Sequence, residues 1–223
     1  MSSIARVSIV ALFALIPALA SAQKPGDVTV GIMAGVNYST VNQDPQSSEV
    51  TFSYKAGLVA GGFLGYQVTD AFSIEPQVLY SQKGSNVKGT GVNSSLEGSI
   101  KIGYIEVPVL AKFWFPMSGS QMKPFVFVGP EVEFKVSCTA DGAILAVTGS
   151  ADCDNTGSEV KLKSTDFGVT AGAGIGFNAG GQDLRLDARY TLGLSNINDS
   201  GDNRDIKNRA FAVTIGLGFP LGR

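Results

Sequence analysis

Residues 210–219 read AFAVTIGLGF, a stretch in which large apolar side chains alternate strictly with small or polar ones. One parity carries the large apolar residues Phe211, Val213, Ile215, Leu217 and Phe219. Ala, Thr and Gly fill the other parity. Successive side chains of a β-strand point to opposite faces, whereas a helix would scatter both sets around its axis. The stretch therefore predicts a β-strand that separates two different environments.

Seven more runs upstream alternate in the same way, and each has roughly the 9–11 residues that a tilted strand needs to cross a membrane. The eight runs lie at about 28–38, 54–68, 72–83, 104–115, 125–135, 166–177, 184–194 and 210–219. Long polar connections alternate with short ones: the long ones are 39–53, 84–98, 137–163 and 195–207, and the short ones are 69–70, 116–122 and 179–181. This arrangement is typical of an all-β, eight-stranded antiparallel up-and-down barrel.

The alternation alone leaves open which face points outward, because a soluble lipocalin-like barrel also has eight strands but an apolar interior. No window after the first segment has the roughly 18 consecutive apolar residues of a membrane helix. The polar face is rich in Gly and Ala and carries few charges, of both signs, which suits the narrow interior of a small barrel. Aromatic residues lie near the run ends on the apolar face, as in interfacial girdles: Tyr38, Tyr66, Phe72, Tyr80, Phe115 and Phe219. We therefore expect a transmembrane barrel.

Some residues depart from this pattern. Pro76, Pro108 and Pro130 fall inside predicted strands, where each removes a backbone donor, and a closed barrel has no free edge to accommodate them. We expect local β-bulges at these positions. Leu110 and Trp114 are apolar residues on the polar face.

Residues 1–22 have the features of a secretory signal peptide. Arg6 precedes an apolar stretch over Val7–Leu19, and Ala20–Ala22 form a small-residue cleavage site. A transmembrane anchor is the alternative, but the stretch is short, contains Pro17 and lacks a charged stop-transfer flank. We expect residues 23–223 to form the barrel domain after export.

Composition excludes several classes of function. The chain has no histidine, which removes Ser-His-Asp, Cys-His and His-liganded metal chemistry. The formal net charge of −2 argues against a nucleic-acid partner. The glycines of Gly172-x-Gly174-x-Gly176 lie within a strand, so they do not predict a phosphate-binding loop. We expect a protein that is not an enzyme and has no catalytic residues and no cofactor, although a carboxylate-only membrane hydrolase or acyltransferase stays open.

Seven charged residues on the polar face are candidates for a functional or structural network inside the barrel. They are Glu75, Glu106, Lys112, Glu131, Arg185, Asp187 and Arg189. A functional interpretation makes them a carboxylate pair or an ion path. We favour salt bridges that neutralise one another, because an unpaired buried ion costs several kcal/mol and the lumen of an eight-stranded barrel is just filled by side chains.

The longest connection holds Cys138 and Cys153, for which we expect a disulfide in an oxidising compartment, two free thiols being the alternative. Another connection holds Asp199, Asp202 and Asp205. Calcium binding is conceivable there, but the spacing is not that of an EF-hand, and we favour a solvated polar loop with no metal site.

Short blocks spread over the chain match a known family. They are KAG at 55–57, FSIEPQ at 72–77, YSQKG at 80–84, YIEVPVL at 104–110, GP at 129–130, DFG at 166–168, DARY at 187–190, GLSNI at 193–197 and KNR at 207–209. Together they resemble the PorT-like family of outer-membrane β-barrel domains, frequent among Bacteroidota. The resemblance implies an outer-membrane location, a barrel fold and a poorly defined activity, and it implies that the three prolines are family features. The name-giving member is linked to a secretion pathway, but no motif here carries that role over.

We expect a bacterial outer-membrane protein with a structural role or an interaction role that its long surface loops supply. The alternatives are a small channel or transport protein and, by family analogy, a secretion accessory. The expected partners are outer-membrane lipid, an extracellular ligand or protein of unknown identity, and the barrel assembly machinery. Outer-membrane strands commonly end at an aromatic that assists insertion, so Phe219 is the candidate insertion signal, followed here by Pro220-Leu221-Gly222-Arg223.

Overall fold

The computed structural model describes residues 24–45, 50–89, 97–115, 117, 120–142, 150–153, 162–199 and 203–221. The predicted signal peptide at 1–22 lies outside the described residues. The strands are β1 (Val28–Asp44), β2 (Val50–Gln67), β3 (Phe72–Gly89), β4 (Glu97–Trp114), β5 (Met122–Gly142), β6 (Ser150–Asp152), β7 (Thr165–Ala179), β8 (Gln182–Gly193) and β9 (Asp205–Leu221). Among the described residues, no helix is long and apolar enough to span a membrane.

Eight long antiparallel strands close into a ring. Each pairs with the next along the chain, β5 pairs with β7, and β9 returns to pair with β1, while the short β6 pairs only with β5 within the described chain. Following paired residues around the ring from Val28 leads back to β1 at Tyr38, ten residues further along that strand. Such a stagger is what tilts strands in a closed barrel. The predicted eight-stranded antiparallel barrel is confirmed.

The large apolar side chains lie on the outside of the ring. Ile32 is 64% exposed whereas its neighbour Met33 is 6% exposed, and the same alternation continues along β9, where Ile215 is exposed and Thr214 is buried. Polar residues such as Asn37 face the lumen. The barrel therefore has an apolar outer surface and a largely polar interior, the arrangement of a membrane barrel and the reverse of a lipocalin.

The strands extend well beyond the predicted runs. β1 continues to Asp44, β3 to Gly89 and β5 to Gly142, so the long connections predicted at their ends are shorter than expected. In these extensions the outward residues are no longer consistently apolar, although Ser85 and Val87 still point inward and are buried. The hydrophobic period fades there while the hydrogen-bonded ladder continues. We call this the loop end of the barrel, and the opposite end, with the short connections 68–71, 115–121 and 180–181, the turn end.

The expectation of bulges at the three strand prolines was wrong. Toward the preceding strand, two residue pairs are missing from the ladder beside each proline, and pairing then resumes in the same register. Each proline pairs normally with the following strand, in the pairs Pro76–Val109, Pro108–Glu131 and Pro130–Val169. The observed register shifts lie elsewhere, between Tyr54 and Val59 and between Gly103 and Tyr104. A strand held on both sides thus tolerates proline by omitting a short part of one ladder.

Candidate functional site

The lumen near the turn end holds an ion network centred on Glu75 of β3. Lys112 of β4 donates a 2.8 Å hydrogen bond to Glu75 Oε1, and Gln77 donates another of 2.9 Å to the same oxygen. Arg185 of β8 binds the second oxygen, Glu75 Oε2. The carboxylate is therefore satisfied on both oxygens, and the contacts join β3, β4 and β8 across the barrel interior.

Arg189 extends this network toward the middle of the lumen. Its Nη2 and Nε donate hydrogen bonds of 3.0 and 3.1 Å to Asp187 Oδ1, and its Nη1 donates one of 2.9 Å to Gln77 Oε1. Asp183 lies 3.9 Å from Arg185. We define the turn-end network as Glu75, Gln77, Lys112, Asp183, Arg185, Asp187 and Arg189. Three cations face three carboxylates in it, so its formal charges balance.

Aromatic side chains fill the space beside these cations. Leu110 and Trp114, the apolar exceptions on the polar face, point into the lumen and pack with Phe125 and Phe127 of β5. The Lys112 ammonium lies 4.5 Å from the centroid of the Phe125 ring, and the Trp114 indole donates a 2.9 Å hydrogen bond to a serine hydroxyl of β3. Cation–π contacts of this kind explain why aromatic residues share the parity of the charged ones.

The glycine-rich β7 makes room for these rings. A Cβ added at Gly172 would lie 2.5 Å from Cζ of Phe127, and one added at Gly174 would lie 2.5 Å from Cζ of Phe125. The glycines at period two therefore mark a close approach between β7 and the aromatic side chains of the lumen.

A second charged group lies closer to the loop end. The ammonium of Lys83 on β3 is 2.8 Å from Glu106 Oε1, 2.7 Å from Glu133 Oε1 and 3.8 Å from Glu131 Oε1. Glu106 of β4 and Glu133 of β5 are directly opposite each other in the ladder, an arrangement that is destabilising for like charges unless a cation compensates them. We define Glu106, Glu131 and Glu133 as the loop-end carboxylate cluster. All three are buried.

The structure thus places all seven sequence-predicted charged residues in the lumen but divides them between two groups. Among the ion pairs seen within the described ranges, none joins the two groups. Sequence reasoning missed four members: Gln77, Lys83, Glu133 and Asp183. All four share the parity of the predicted set on their strands, so face assignment alone would have included them.

An apolar cluster lies at the loop end of the lumen. We define the cap cluster as Ile102, Tyr104, Cys138, Ala140, Cys153, Leu162 and Ile197, all buried. Ile102 and Tyr104 point inward from β4, whereas Leu162 and Ile197 come from the connections after β5 and β8. The backbone N–H of Lys163 donates a 2.8 Å hydrogen bond to the carbonyl of Ile197, which ties these two connections together.

The predicted disulfide between Cys138 and Cys153 is present and joins β5 to the residue after β6. Both cysteines belong to the cap cluster. The cross-link therefore fixes the middle of the longest connection, directly after β6, to the strand that precedes it.

The remaining candidates that the structure describes lie outside the two ion networks. In the acidic connection, Asp205 accepts a 2.7 Å hydrogen bond from the Asn196 amide, Asp199 is exposed, and Asp202 lies outside the described residues. Phe219 is on the outer surface opposite Val30, at the seam where β9 closes the ring against β1.

Comparison with known proteins identifies the family. The profile of the outer membrane protein beta-barrel domain matches residues 20–199, which is well over half of the chain. The chain therefore belongs to this outer membrane β-barrel family, and it is a protein of the outer membrane, in contact with outer-membrane lipid. A search of curated protein sequences finds no match.

Solved structures with the same fold include two outer-membrane proteins. OprG from Pseudomonas aeruginosa is 17% identical with a TM-score of 0.56, covering 90% of this chain and 98% of its own. The outer membrane protease OmpT from Escherichia coli is 10% identical with a TM-score of 0.52, covering 88% of this chain and 97% of its own. At these identities the likeness establishes the fold alone. Because a protease shares this fold, the fold does not assign an activity to the chain.

Proposed function

We propose that this protein is a non-enzymatic outer-membrane barrel that acts through its extracellular loops rather than through its lumen. The observation that carries the proposal is that side chains fill the lumen at three successive levels. These are the turn-end network with its aromatic residues, the loop-end carboxylate cluster, and the cap cluster.

A conducting pore needs a continuous column of water, and the packing works against one. Arg185 and Arg189 of β8 reach across the lumen to contact Glu75 and Gln77 of β3. Two cavities at that end, both lined by Trp114 and Arg185, measure about 10 Å³ each, room for a single water molecule. We therefore place transport second to a loop-mediated role.

The same closure supports a non-catalytic role. The loop-end carboxylates, which a carboxylate-only hydrolase would need, lie beneath the cap cluster, where Glu133 is 0% exposed. A substrate has no access to them in this state. The surface that remains for recognition is the set of connections at the loop end, one of them held by the disulfide.

Two narrower assignments belong to the same proposal. The first is membership of the PorT-like group within the broader barrel family, which the sequence blocks that resemble that group support. The outward position of Phe219, two residues before the end of β9, is consistent with recognition by the barrel assembly machinery.

Two measurements test the proposal. Purified protein in planar bilayers should give no conductance above the bilayer background, and steady single-channel currents would contradict a closed lumen. On intact cells, replacing residues 154–161 by a Gly/Ser linker should abolish cross-linking to a surface partner. Replacing 116–121 at the turn end is the matched control and should leave cross-linking unchanged. Equal cross-linking by both variants would contradict a role for the longest loop.

A further inference from the structure

The loop-end carboxylate cluster carries more negative charge than its neighbours neutralise. The ligand oxygens of Glu106, Glu131 and Glu133 lie within 4.8 Å of one another. The ion pairs that the described part of the chain shows for these three carboxylates all go to the single ammonium of Lys83. Three carboxylates and one ammonium leave a formal charge of −2 in a buried site. The turn-end network, by contrast, is balanced.

Oxygens within the cluster also lack hydrogen-bond donors. Among the described residues, Glu131 Oε1 and Glu133 Oε2 accept no hydrogen bond, although both side chains are at least 97% buried. Asp166 of β7 is directly opposite Glu133 in the ladder, and its Oδ1 also accepts no hydrogen bond. Buried carboxylate oxygens without a hydrogen-bond donor are costly, so the three carboxylates of the cluster, with Asp166 beside them, call for a positive partner in addition to Lys83.

We propose that this cluster binds one divalent hard cation, Ca²⁺ or Mg²⁺, with Glu106, Glu131 and Glu133 as ligands. A charge of +2 cancels the formal −2. Two oxygens on opposite sides of a Ca²⁺ ion, each about 2.4 Å from it, are about 4.8 Å apart, which the observed spacing allows. Lys83 binds one oxygen of Glu106 and one of Glu133, which leaves Glu133 Oε2 and the more distant Glu131 Oε1 for the ion.

The position of the site indicates a role in holding the loop end closed. The Lys83 ammonium is 5.7 Å from the ring centroid of Tyr104, a member of the cap cluster. Tyr104 in turn accepts a 3.1 Å hydrogen bond from Asn208 of β9, which also donates one of 2.9 Å to Asp166. A bound ion would therefore stabilise β3, β4, β5 and the base of the cap together.

The test compares urea unfolding of the full chain in a zwitterionic detergent with EDTA and with Ca²⁺ or Mg²⁺. A free Ca²⁺ or Mg²⁺ concentration 100 times its dissociation constant should lower the unfolding equilibrium constant of the wild type about 100-fold relative to EDTA. Glu131→Gln should lose this dependence, since Glu131 is the member farthest from Lys83. Asp199→Asn, on the exposed acidic connection, is the matched control and should keep it.

A binding measurement on the wild type keeps the test decisive if Glu131→Gln does not fold. Tb³⁺ should give luminescence sensitised by tyrosine, with one equivalent bound, displaced by Ca²⁺ and lost in Tyr104→Phe. Unfolding that is identical in EDTA and in divalent cation would overturn the proposal. An effect of divalent cation on unfolding that survives in Glu131→Gln would overturn it as well. Stabilisation by lower pH alone, with no effect of divalent cation, would also overturn it, because protons would then balance the charge of the cluster.

Discussion

Replacing Arg189 by leucine should destabilise the barrel by about 3–5 kcal/mol, because it breaks a buried ion pair and leaves one partner charged. Arg189 is 6% exposed and donates two hydrogen bonds to Asp187 Oδ1 and one to Gln77 Oε1. Without the guanidinium, the buried Asp187 carboxylate loses its ion pair. Replacing both Arg189 and Asp187 by leucine should recover much of the loss, since a hydrophobic pair of similar volume is often neutral or stabilising.

The assay is equilibrium unfolding by urea in lipid vesicles, followed by the electrophoretic shift between folded and unfolded barrel. Lys88→Leu is the matched control: it breaks the Lys88–Glu97 pair of 3.4 Å, whose side chains are 66% and 70% exposed. An exposed pair contributes about 0–1 kcal/mol, so this variant should unfold almost as the wild type does. Unfolding of Arg189→Leu within about 0.5 kcal/mol of the wild type, or an equal loss in the control, would show that the Arg189–Asp187 pair does not stabilise the barrel.

Three other perturbations test separate parts of the structure. Without reductant, mass spectrometry should find no alkylatable thiol in the native protein, and labelling of the unreduced protein would contradict the disulfide. The Cys138→Ser, Cys153→Ser double variant should lose about 3 kcal/mol in free energy of unfolding, because the cross-link spans 15 residues. Gly172→Ala should cost about 1–3 kcal/mol in the same unfolding assay, because its Cβ would lie 2.3 Å from the carbonyl oxygen of Ala188 and 2.5 Å from Cζ of Phe127. Gly216→Ala, with its nearest heavy atom at 3.5 Å, is the control for that change, and equal losses would argue against the tight packing of β7. Ile215→Lys on the outer surface should cost about 2–4 kcal/mol in lipid, and no change would place this residue outside the membrane.

The barrel itself could be predicted from the sequence because its two faces meet such different environments. Along 210–219 every second residue must be apolar to face lipid, so the strand can be recognised from its alternating sequence. Where β1 and β3 pass beyond the apolar belt, as far as Asp44 and Gly89, neither face has to be apolar. The pattern then fades while the backbone pairing continues, so the predicted strands ended too early.

The candidate site was only partly accessible to the same reasoning. The alternation along each strand predicted that Glu106 and Glu131 point inward. Which residues they contact across the lumen depends on the stagger of the strands around the barrel, and a local sequence pattern does not give this stagger. Lys83 meets Glu133 across 50 positions of sequence. The prediction of β-bulges at the three strand prolines was wrong for a related reason. A missing backbone donor can be accommodated by a gap in one ladder as well as by a bulge, and the sequence does not distinguish the two.

The cap cluster was not predictable from alternation. Leu162 and Ile197 belong to connections that the composition marks as polar and exposed, yet both are buried in the same cluster as Tyr104. Only the two cysteines indicated that one of these connections is fixed to the barrel. The loops that carry the proposed function are thus the part of the chain about which the sequence says least.

The orientation of the two faces is the claim on which the account depends, and spin labels placed one at a time along 210–219 test it directly in lipid vesicles. Labels at the odd-numbered positions should be relaxed by oxygen, which partitions into lipid, and labels at the even-numbered positions should be protected both from oxygen and from a water-soluble nickel complex. Relaxation of the odd-numbered labels by the nickel complex would show that the apolar face is not in the membrane and would contradict the account.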